Sequence, residues 1–275
     1  MTLDFLPLPA TLTEIVPGVA NNLVFRFRPK RPLALAPGQF VELSLPGIGA
    51  FPVSAVNWPT EQSVECCIRK AGRVTAALYA LAKGAEVGLR GPFGNGFPLP
   101  ELAGQDVLLL AGGLGMAPLR GLLQWLLAHR PQVGDLLLLY GSREPASLLF
   151  RQELEALAAA GHIQLRFSVD FAPQLPWSAG PVFCRVGLVG ELLDGLKFSP
   201  ANTVAAVCGP PALYQCVLEE LAALGVAPER IFATLERRMQ CGVGQCCHCV
   251  TAGRFICQQG PVFSLAQLRQ MEGAL

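Results

Sequence analysis

The chain has 275 residues, with 21 Lys or Arg and 20 Asp or Glu, so its formal net charge is +1. This near-neutral balance, without any long basic run, argues against nucleic-acid binding. Charged residues make up 15% and hydrophobic residues 52% of the chain, which indicates that a partner subunit covers part of the surface.

Residues 1–100 have the pattern of an all-β domain. Strand-like runs, with apolar and polar residues in partial or full alternation, occur at 23–28, 40–45 and 63–69. A short helix is expected at 75–82. The Pro/Gly-rich stretch 90–98 is expected to be a loop.

Residues 101–232 change to an α/β pattern. Strand-length apolar runs occur at 107–111, 136–140 and 204–207, followed by helical stretches at 118–128, 148–159 and 211–224. This alternation is typical of a parallel sheet buried on both faces. The most apolar stretch, 107–127, is broken by glycines, a proline and an arginine. It therefore predicts a buried strand, a turn and a helix, and no membrane insertion.

Three turn motifs follow the predicted strands of this α/β region. Their candidate binding residues are Gly112, Gly113, Gly115 and Pro118 in the first, Ser142 and Arg143 in the second, and Cys208, Gly209 and Pro210 in the third. The first is a glycine-rich turn that leads into a helix and can present backbone N–H groups to a phosphate. The second could seat an adenosine ribose or its 2′-phosphate. Each alone could be an ordinary turn, but three in this order predict a nucleotide site at the carboxyl ends of the strands.

Two further motifs lie in the β region, Pro52-Val53-Ser54 and Gly72-Arg73-Val74-Thr75. A small hydroxyl beside a proline turn could bond the edge of a flavin ring. A Gly-x-x-Thr sequence at a helix start could hold a pyrophosphate. On the residues alone, both could equally be turns at strand ends.

Five of the ten cysteines lie within residues 241–257, and the other five are scattered along the chain. If Cys247 is set aside, Cys241, Cys246, Cys249 and Cys257 have the spacing C-x4-C-x2-C-x7-C, whose first three members match the plant-type [2Fe–2S] pattern. Glycines between the first two cysteines would let the backbone wrap closely around such a cluster. A structural zinc site is the main alternative, although zinc favours two C-x2-C pairs and only one is present. A Rieske centre needs two histidines, and the segment offers His248 alone.

The first seventeen residues contain Asp4 and no basic run before their apolar residues, so no signal peptide is expected. We therefore expect a cytoplasmic location. In that reducing compartment the cysteines outside the C-terminal segment are expected to be free thiols.

Taken together, these motifs resemble the ferredoxin–NADP reductase superfamily over essentially the whole chain. More narrowly, the chain is similar to electron-transfer subunits that carry a C-terminal [2Fe–2S] segment. The resemblance is carried by Pro37-Gly-Gln-Phe40, Pro52-Val-Ser54, Gly72-Arg-Val-Thr75, the run from Gly91 to Phe97, Gly112-Gly-Leu-Gly-Met-Ala-Pro118 and Cys208-Gly-Pro-Pro211. Its most specific part runs from Leu235 to Cys246 and continues from Phe255 to Phe263.

The resemblance implies an antiparallel β-barrel FAD domain at 1–100, an α/β parallel-sheet NAD(P)-binding domain at 101–232 and a small C-terminal [2Fe–2S] segment at 233–275. It implies a flavin ring against Pro52, Val53 and Ser54, and a pyrophosphate on Gly72, Val74 and Thr75. It further implies NAD(P)H across the Gly112–Pro118 turn, with Cys208 as the catalytic residue near the nicotinamide. Cys241, Cys246, Cys249 and Cys257 would be the cluster ligands.

The chain departs from the family pattern at two positions. Many relatives have an arginine before the Pro-x-Ser triplet, where this chain has Phe51, so Arg69 or Lys70 is expected to neutralise the flavin phosphates. Relatives usually have glycine or another uncharged residue where this chain has Cys247, and this leaves the ligand assignment slightly open.

The implied function is that of a diaphorase subunit, which moves electrons between NAD(P)H, FAD and the cluster. Its expected partners are catalytic and iron–sulfur subunits of a hetero-oligomeric redox complex. The sequence around 236–239 and 246–249 resembles the gamma subunits of soluble [NiFe] hydrogenases or the B subunit of sulfite reductase, and of these the hydrogenase type is favoured. The electron-transfer subunits of anaerobic sulfite reductase and of dihydroorotate dehydrogenase remain alternatives. Alternatives of another kind are a zinc-stapled nucleotide-binding regulator and a stand-alone oxygenase reductase, which normally has a longer iron–sulfur domain.

Overall fold

The computed structural model describes residues 5–19, 21–59, 61–172 and 182–275. The chain divides into two compact units. The first comprises Met1–Phe97, Arg120–Trp125 and Leu235–Val262, and the second comprises Pro98–Leu119, Leu126–Thr234 and Phe263–Leu275. The cysteine-rich segment thus belongs to the same unit as the N-terminal sheet, although more than a hundred residues separate them in the chain.

The first unit is built on a six-stranded antiparallel sheet. Its strands are β1 (Leu8–Pro17), β2 (Asn22–Pro29), β3 (Phe40–Leu45), β4 (Gly49–Ser54), β5 (Val64–Arg69) and β6 (Glu86–Phe93), in the spatial order β4-β3-β6-β1-β2-β5. The sheet curls, so that the amide of Val56 just beyond β4 donates to the carbonyl of Glu65 on β5 at 2.8 Å. Helix α1 (Arg73–Tyr79) follows β5. Buried aromatic and aliphatic side chains such as Phe25 and Leu43 fill the interior.

The strands predicted at 23–28, 40–45 and 63–69 are confirmed, whereas β1 and β4 were not foreseen. The predicted loop at 90–98 is wrong in its first half, because β6 continues to Phe93. Two residues of β6, Gly91 and Pro92, stand opposite one residue of β3, which is a β-bulge. Proline and glycine therefore mark an irregularity within a strand here. β4 is an edge strand, which explains why it tolerates Pro52.

The second unit contains the parallel sheet. Its first six strands are β7 (Asp106–Gly112), β8 (Leu136–Ser142), β9 (Gln164–Val169), β10 (Phe183–Val186), β11 (Thr203–Cys208) and β12 (Ile231–Thr234). Helices α3 (Arg151–Ala159) and α4 (Pro211–Ala223) belong to this unit, as do both ends of α2 (Met116–Ala128), whose residues Arg120–Trp125 are assigned to the first unit. The central strands β7, β8 and β11 are buried almost throughout, as their continuous apolar runs predicted. Helix α3 begins later than predicted because the preceding Phe150 has a left-handed backbone, with φ of 57°.

The C-terminal segment is mostly irregular. It contains β13 (Val250–Thr251), β14 (Arg254–Phe255), α5 (Ile256–Gln259), β15 (Val262–Ser264) and α6 (Leu265–Leu268). β13 and β14 form a small antiparallel ribbon. β15 completes the seven-stranded sheet, whose order is β10-β9-β8-β7-β11-β12-β15. Among the residues that the structure describes, no helix is both long enough and apolar enough to cross a bilayer.

Candidate functional site

The three turn motifs of the second unit lie side by side. Strands β8, β7 and β11 are neighbours in the sheet, and Gly112 at the end of β7 is in register with Gly141 of β8. On the other side, Ala111 of β7 is in register with Cys208 of β11. The glycine-rich turn after β7 therefore lies between the Ser142 turn and the Cys208 turn, at the strand ends where ligands of open α/β sheets bind.

Glycine is required where two of these turns meet. A Cβ atom on Gly115 would lie 1.9 Å from the carbonyl oxygen of Cys208 and 2.7 Å from the amide nitrogen of Gly209. A Cβ atom on Gly209 would in turn lie 3.1 Å from the Cα atom of Gly112. The turns thus pack backbone against backbone, an approach that only glycine permits here.

The glycine-rich turn passes directly into helix α2. Gly113–Gly115 forms a short 3₁₀ turn, in which Gly113 has a φ of 53°, and α2 follows from Met116. The first turn of the helix is uncharged and contains Pro118. This strand–turn–helix geometry is the one that binds phosphates in many nucleotide-binding proteins.

Tyr140 holds the glycine-rich turn in place, a role that was not predicted for it. Its buried hydroxyl donates to the carbonyl of Gly113 at 3.0 Å and accepts from the amide of Leu149 at 2.9 Å. A lone tyrosine at the end of a run of leucines is the signal that could have identified it, since a buried tyrosine hydroxyl usually finds a partner. In the adjacent turn, Ser142 is buried and Arg143 is exposed. Their expected role at the ribose stays a prediction.

Cys208 is buried at the end of β11 and belongs to a hydrogen-bonded group. The hydroxyl of Thr234, at the end of the neighbouring strand β12, donates to the sulfur of Cys208 at 2.9 Å. The Tyr214 hydroxyl donates to the carbonyl of Thr234 at 2.7 Å and accepts from the amide of Gly209 at 3.1 Å. Thr234 and Tyr214 were not predicted. Together they hold the thiol and the turn that follows it in one orientation.

The predicted flavin residues lie on the first unit. Pro52, Val53 and Ser54 form the half-buried end of edge strand β4. Gly72 precedes helix α1, and the hydroxyl of Thr75 accepts from the amides of Ala71 and Gly72, at 2.9 Å in each case. Thr75 therefore holds the turn at the start of the helix through its own hydroxyl group.

Positive charge near these residues comes from three side chains. Arg69 and Lys70 are exposed, and the Lys70 ammonium lies 5.9 Å from the centre of the Tyr79 ring. Arg73, which was not predicted, donates from its guanidinium to the carbonyl of Ile48 at 2.7 Å, next to the start of β4. Arg73 is thus a further cation beside the strand in which Phe51 replaces the arginine of many relatives.

The cysteine loop directs backbone N–H groups at sulfur atoms. The amides of Val243, Gln245 and Cys246 each lie 3.4 Å from the sulfur of Cys241, and that of Gly244 lies 3.3 Å from the sulfur of Cys257. Gly242 and Gly244, with φ of 72° and 71°, give the loop the curvature that these contacts require. Amide groups in this arrangement stabilise negative charge on sulfur, which fits residues that bind iron as thiolates.

The side chains of the four predicted ligands interact: Cys246 interacts with Cys241, Cys257 interacts with Cys249, and the charge of Cys241 also acts on Cys257. Backbone amides, chiefly that of His248, lower the pKa of Cys246 to about 7, whereas burial raises the pKa of Cys257 to about 12. Over the described parts of the chain, no three His, Cys, Asp or Glu side chains surround a single point as they would around one metal ion.

Cys247 differs from the other cysteines of the loop. Its side chain is exposed, whereas Cys249 and Cys257 are buried. Its backbone has a φ of 60°, a conformation that costs a residue with a Cβ atom about 1 kcal/mol. Glycine would adopt this conformation without that cost.

Two protein-family models match the chain. The oxidoreductase NAD-binding domain matches residues 109–219, which include all three turn motifs. The iron-sulfur cluster binding domain of dihydroorotate dehydrogenase B matches residues 236–269, which include the four predicted ligands.

Curated relatives match most of the chain. The sulfhydrogenase 1 gamma subunit of Pyrococcus furiosus is 42% identical over 250 residues, which cover 87% of this chain and 82% of the relative. The sulfhydrogenase 2 gamma subunit of the same organism is 39% identical, with coverages of 83% and 82%. A probable dihydroorotate dehydrogenase B (NAD(+)) electron transfer subunit of Pyrococcus abyssi is 32% identical, with coverages of 92% and 89%.

Among solved structures, a chain of the NADH-dependent reduced ferredoxin-NADP oxidoreductase superposes with a TM-score of 0.73. The match covers 96% of this chain and 89% of that one, at 20% identity. At this identity the likeness concerns the fold.

Proposed function

Because this chain belongs to the ferredoxin–NADP reductase superfamily and, within it, to the family of sulfhydrogenase gamma subunits and dihydroorotate dehydrogenase electron-transfer subunits, we propose that it is the NAD(P)H-linked electron-transfer subunit of a cytoplasmic [NiFe] hydrogenase. The identities of 42% and 39% to hydrogenase gamma subunits, against 32% to the orotate-linked subunit, support this partner. The second candidate function is electron transfer with a dihydroorotate dehydrogenase, since the matching iron–sulfur domain model is the one described for that enzyme.

The cofactors that fit are FAD on residues 1–100, NAD(P)H on residues 101–232 and a [2Fe–2S] cluster on residues 233–275. The plant-type spacing of the four cysteines and the backbone amides directed at the sulfurs of Cys241 and Cys257 carry the proposal of a two-iron cluster. Two thiolates per iron complete a [2Fe–2S] centre, whereas a structural zinc ion needs four ligands around one point. Cys241, Cys246, Cys249 and Cys257 would hold the cluster, and Cys247 would not.

A flavin bound in this fold exchanges hydride with nicotinamide and single electrons with iron–sulfur clusters. The chain's own residues supply binding, orientation and electrostatics. Gly112, Gly113 and Gly115 bring main-chain groups close to the nucleotide phosphates, and α2 directs its N-terminus toward them. Thr234 holds the thiol of Cys208, which we propose contacts the nicotinamide ring.

The composition of the purified protein tests this proposal. We expect the full chain, purified without oxygen, to contain about one FAD, two irons and two acid-labile sulfides. It should reduce one-electron dyes with NAD(P)H, and it should show hydrogenase activity only when its partner subunits are present. Metal analysis, flavin extraction and dye assays measure these quantities. A colourless protein that binds zinc and no flavin would contradict the proposal and support a nucleotide-binding regulator.

Replacement of Cys208 tests its proposed contact with nicotinamide. We expect Cys208→Ala to slow flavin reduction by NAD(P)H about ten- to a hundredfold, with a small change in nucleotide affinity, because a contact that orients the reacting groups acts mainly on the transition state. Thr234→Val, which removes the hydrogen bond to the thiol, should act in the same direction by a smaller factor. Rapid-mixing measurements at several nucleotide concentrations separate rate from affinity.

The matched control is Cys216→Ala, which removes an exposed thiol from helix α4. Its rate should equal that of the unmodified protein. An unchanged rate of hydride transfer in Cys208→Ala would remove Cys208 from the nicotinamide site.

A further inference from the structure

A largely shielded charge pair, Arg90 on β6 and Glu42 on β3, reaches the cysteine loop. The guanidinium of Arg90 donates to both carboxylate oxygens of Glu42 on β3, at 2.8 and 2.9 Å. It also donates to the carbonyl of Cys241 at 3.0 Å. These side chains are only 10% and 13% exposed, so water screens their charges weakly.

The loop fits closely against this pair. The ring of Phe93 lies against the Arg90 guanidinium, 5.6 Å from ring centre to guanidinium carbon. A Cβ atom on Gly242 would lie 2.9 Å from the same ring. Residues of β6 therefore hold the backbone of both Cys241 and Gly242. The positive charge of Arg90 lies next to Cys241, the first predicted ligand.

A second attachment holds the other end of the loop without any charge. The side chain of Asn95 donates to the carbonyls of Gln259 and Val262, at 3.1 and 2.7 Å, and accepts from the amide of Val262 at 3.2 Å. The amide of Asn95 donates to the carbonyl of Gly260 at 2.7 Å. Asn95 therefore only positions the loop. Arg90 and Glu42 position it as well, and they also place two opposite charges beside it.

We propose that the Arg90–Glu42 pair sets the reduction potential of the iron–sulfur cluster, in addition to positioning the Cys241 turn. The inference rests on the proposed function, because it requires a cluster on the four predicted ligands. Reduction adds one negative charge to the cluster, and a nearby cation stabilises that charge. Glu42 offsets part of this stabilisation, so the potential reflects the balance between the two charges.

Four variants of the full-length holoprotein separate the effect of charge on the cluster from the effect of loop position. Arg90→Gln leaves a net negative charge on the pair, Glu42→Gln leaves a net positive charge, and the double variant leaves none. Asn95→Ala removes the uncharged attachment and serves as the control. The midpoint potential of each cluster is measured by redox titration followed by electron paramagnetic resonance, and iron and sulfide are quantified in the same samples.

We expect Arg90→Gln to disfavour cluster reduction at least tenfold, which corresponds to a potential about 59 mV lower for one electron. Glu42→Gln should favour reduction by a similar factor, the double variant should fall between the two single variants, and Asn95→Ala should stay within threefold of the unmodified protein. A cluster with the same potential in all forms would overturn this inference and leave the proposed function intact. Unmodified protein without iron and sulfide would overturn the proposed function and this inference together. If Arg90→Gln does not fold, the rise expected for Glu42→Gln provides the same test.

Discussion

Serine in place of Cys257 is expected to abolish the iron–sulfur cluster and to lower the stability of the cysteine segment. Cys257 is buried, its sulfur accepts the amide of Gly244, and its thiol interacts with that of Cys249. A hydroxyl at this position is a poor iron ligand and leaves a polar group in an apolar site, which costs about 1–3 kcal/mol before any loss of metal is counted. Iron analysis and the visible spectrum of anaerobically purified protein measure the loss, and Cys249→Ser should behave in the same way.

The control for this experiment is the exposed neighbour Cys247. Cys247→Gly should retain full iron content. Its thermal stability should equal or slightly exceed that of the unmodified protein, because glycine adopts the observed φ of 60° without the steric cost of a Cβ atom. A cluster that is lost with Cys247→Gly and retained with Cys246→Ser would show that the ligand register is shifted by one residue.

Alanine at Gly115 is expected to eliminate reduction by NAD(P)H. Its Cβ atom would lie 1.9 Å from the Cys208 carbonyl oxygen, so the two turns must separate by more than 1 Å. Overpacking of this kind usually costs about 1–3 kcal/mol of stability, and the displacement would also move Cys208 and its neighbouring amides away from the nucleotide. Bleaching of the flavin absorbance after NAD(P)H addition reports function, and chemical denaturation reports stability.

Gly121→Ala, in helix α2 just after this turn, is the control for this change. A Cβ atom there would lie 3.6 Å from the carbonyl of Asn57, which is an ordinary contact. Because alanine favours a helix over glycine by about 1 kcal/mol, this variant should be as stable as the unmodified protein or more so. Normal reduction by NAD(P)H in Gly115→Ala would exclude the glycine-rich turn from the nucleotide site.

Much of the parallel sheet could be predicted because its strong signals are local. The apolar run of β7, the glycines after it and the periodic helix α2 occupy one continuous stretch, and each supports the same structure. The curled sheet was predicted less completely. Strand β4 contains Pro52 and β6 contains Gly91 and Pro92, residues that usually indicate turns. They fit here because one strand is at an edge and the other is bulged.

The residues of the candidate sites also fall into a predictable group and an unpredictable group. The spacing of the four cysteines and the glycine pattern after β7 identify residues that act through local geometry. Arg90 and Thr234 could not be predicted as site residues, because their partners are distant in sequence. Arg90 contacts Cys241, and Thr234 contacts Cys208 across two neighbouring strands. Such long-range pairs are decided by the packing of the whole unit, about which a single sequence carries little information.

The discontinuous first unit has a consequence for biosynthesis. A ribosome completes all six strands of the antiparallel sheet well before it reaches Leu235–Val262, the segment that completes this unit. During this interval Arg90 and Asn95 have been synthesised, whereas the carbonyl groups that they bind have not. Iron insertion must therefore follow translation of the segment that contains Cys241 to Cys257. A premature stop codon shortly before Leu235 would yield a chain with most of both sheets and no means of acquiring the metal.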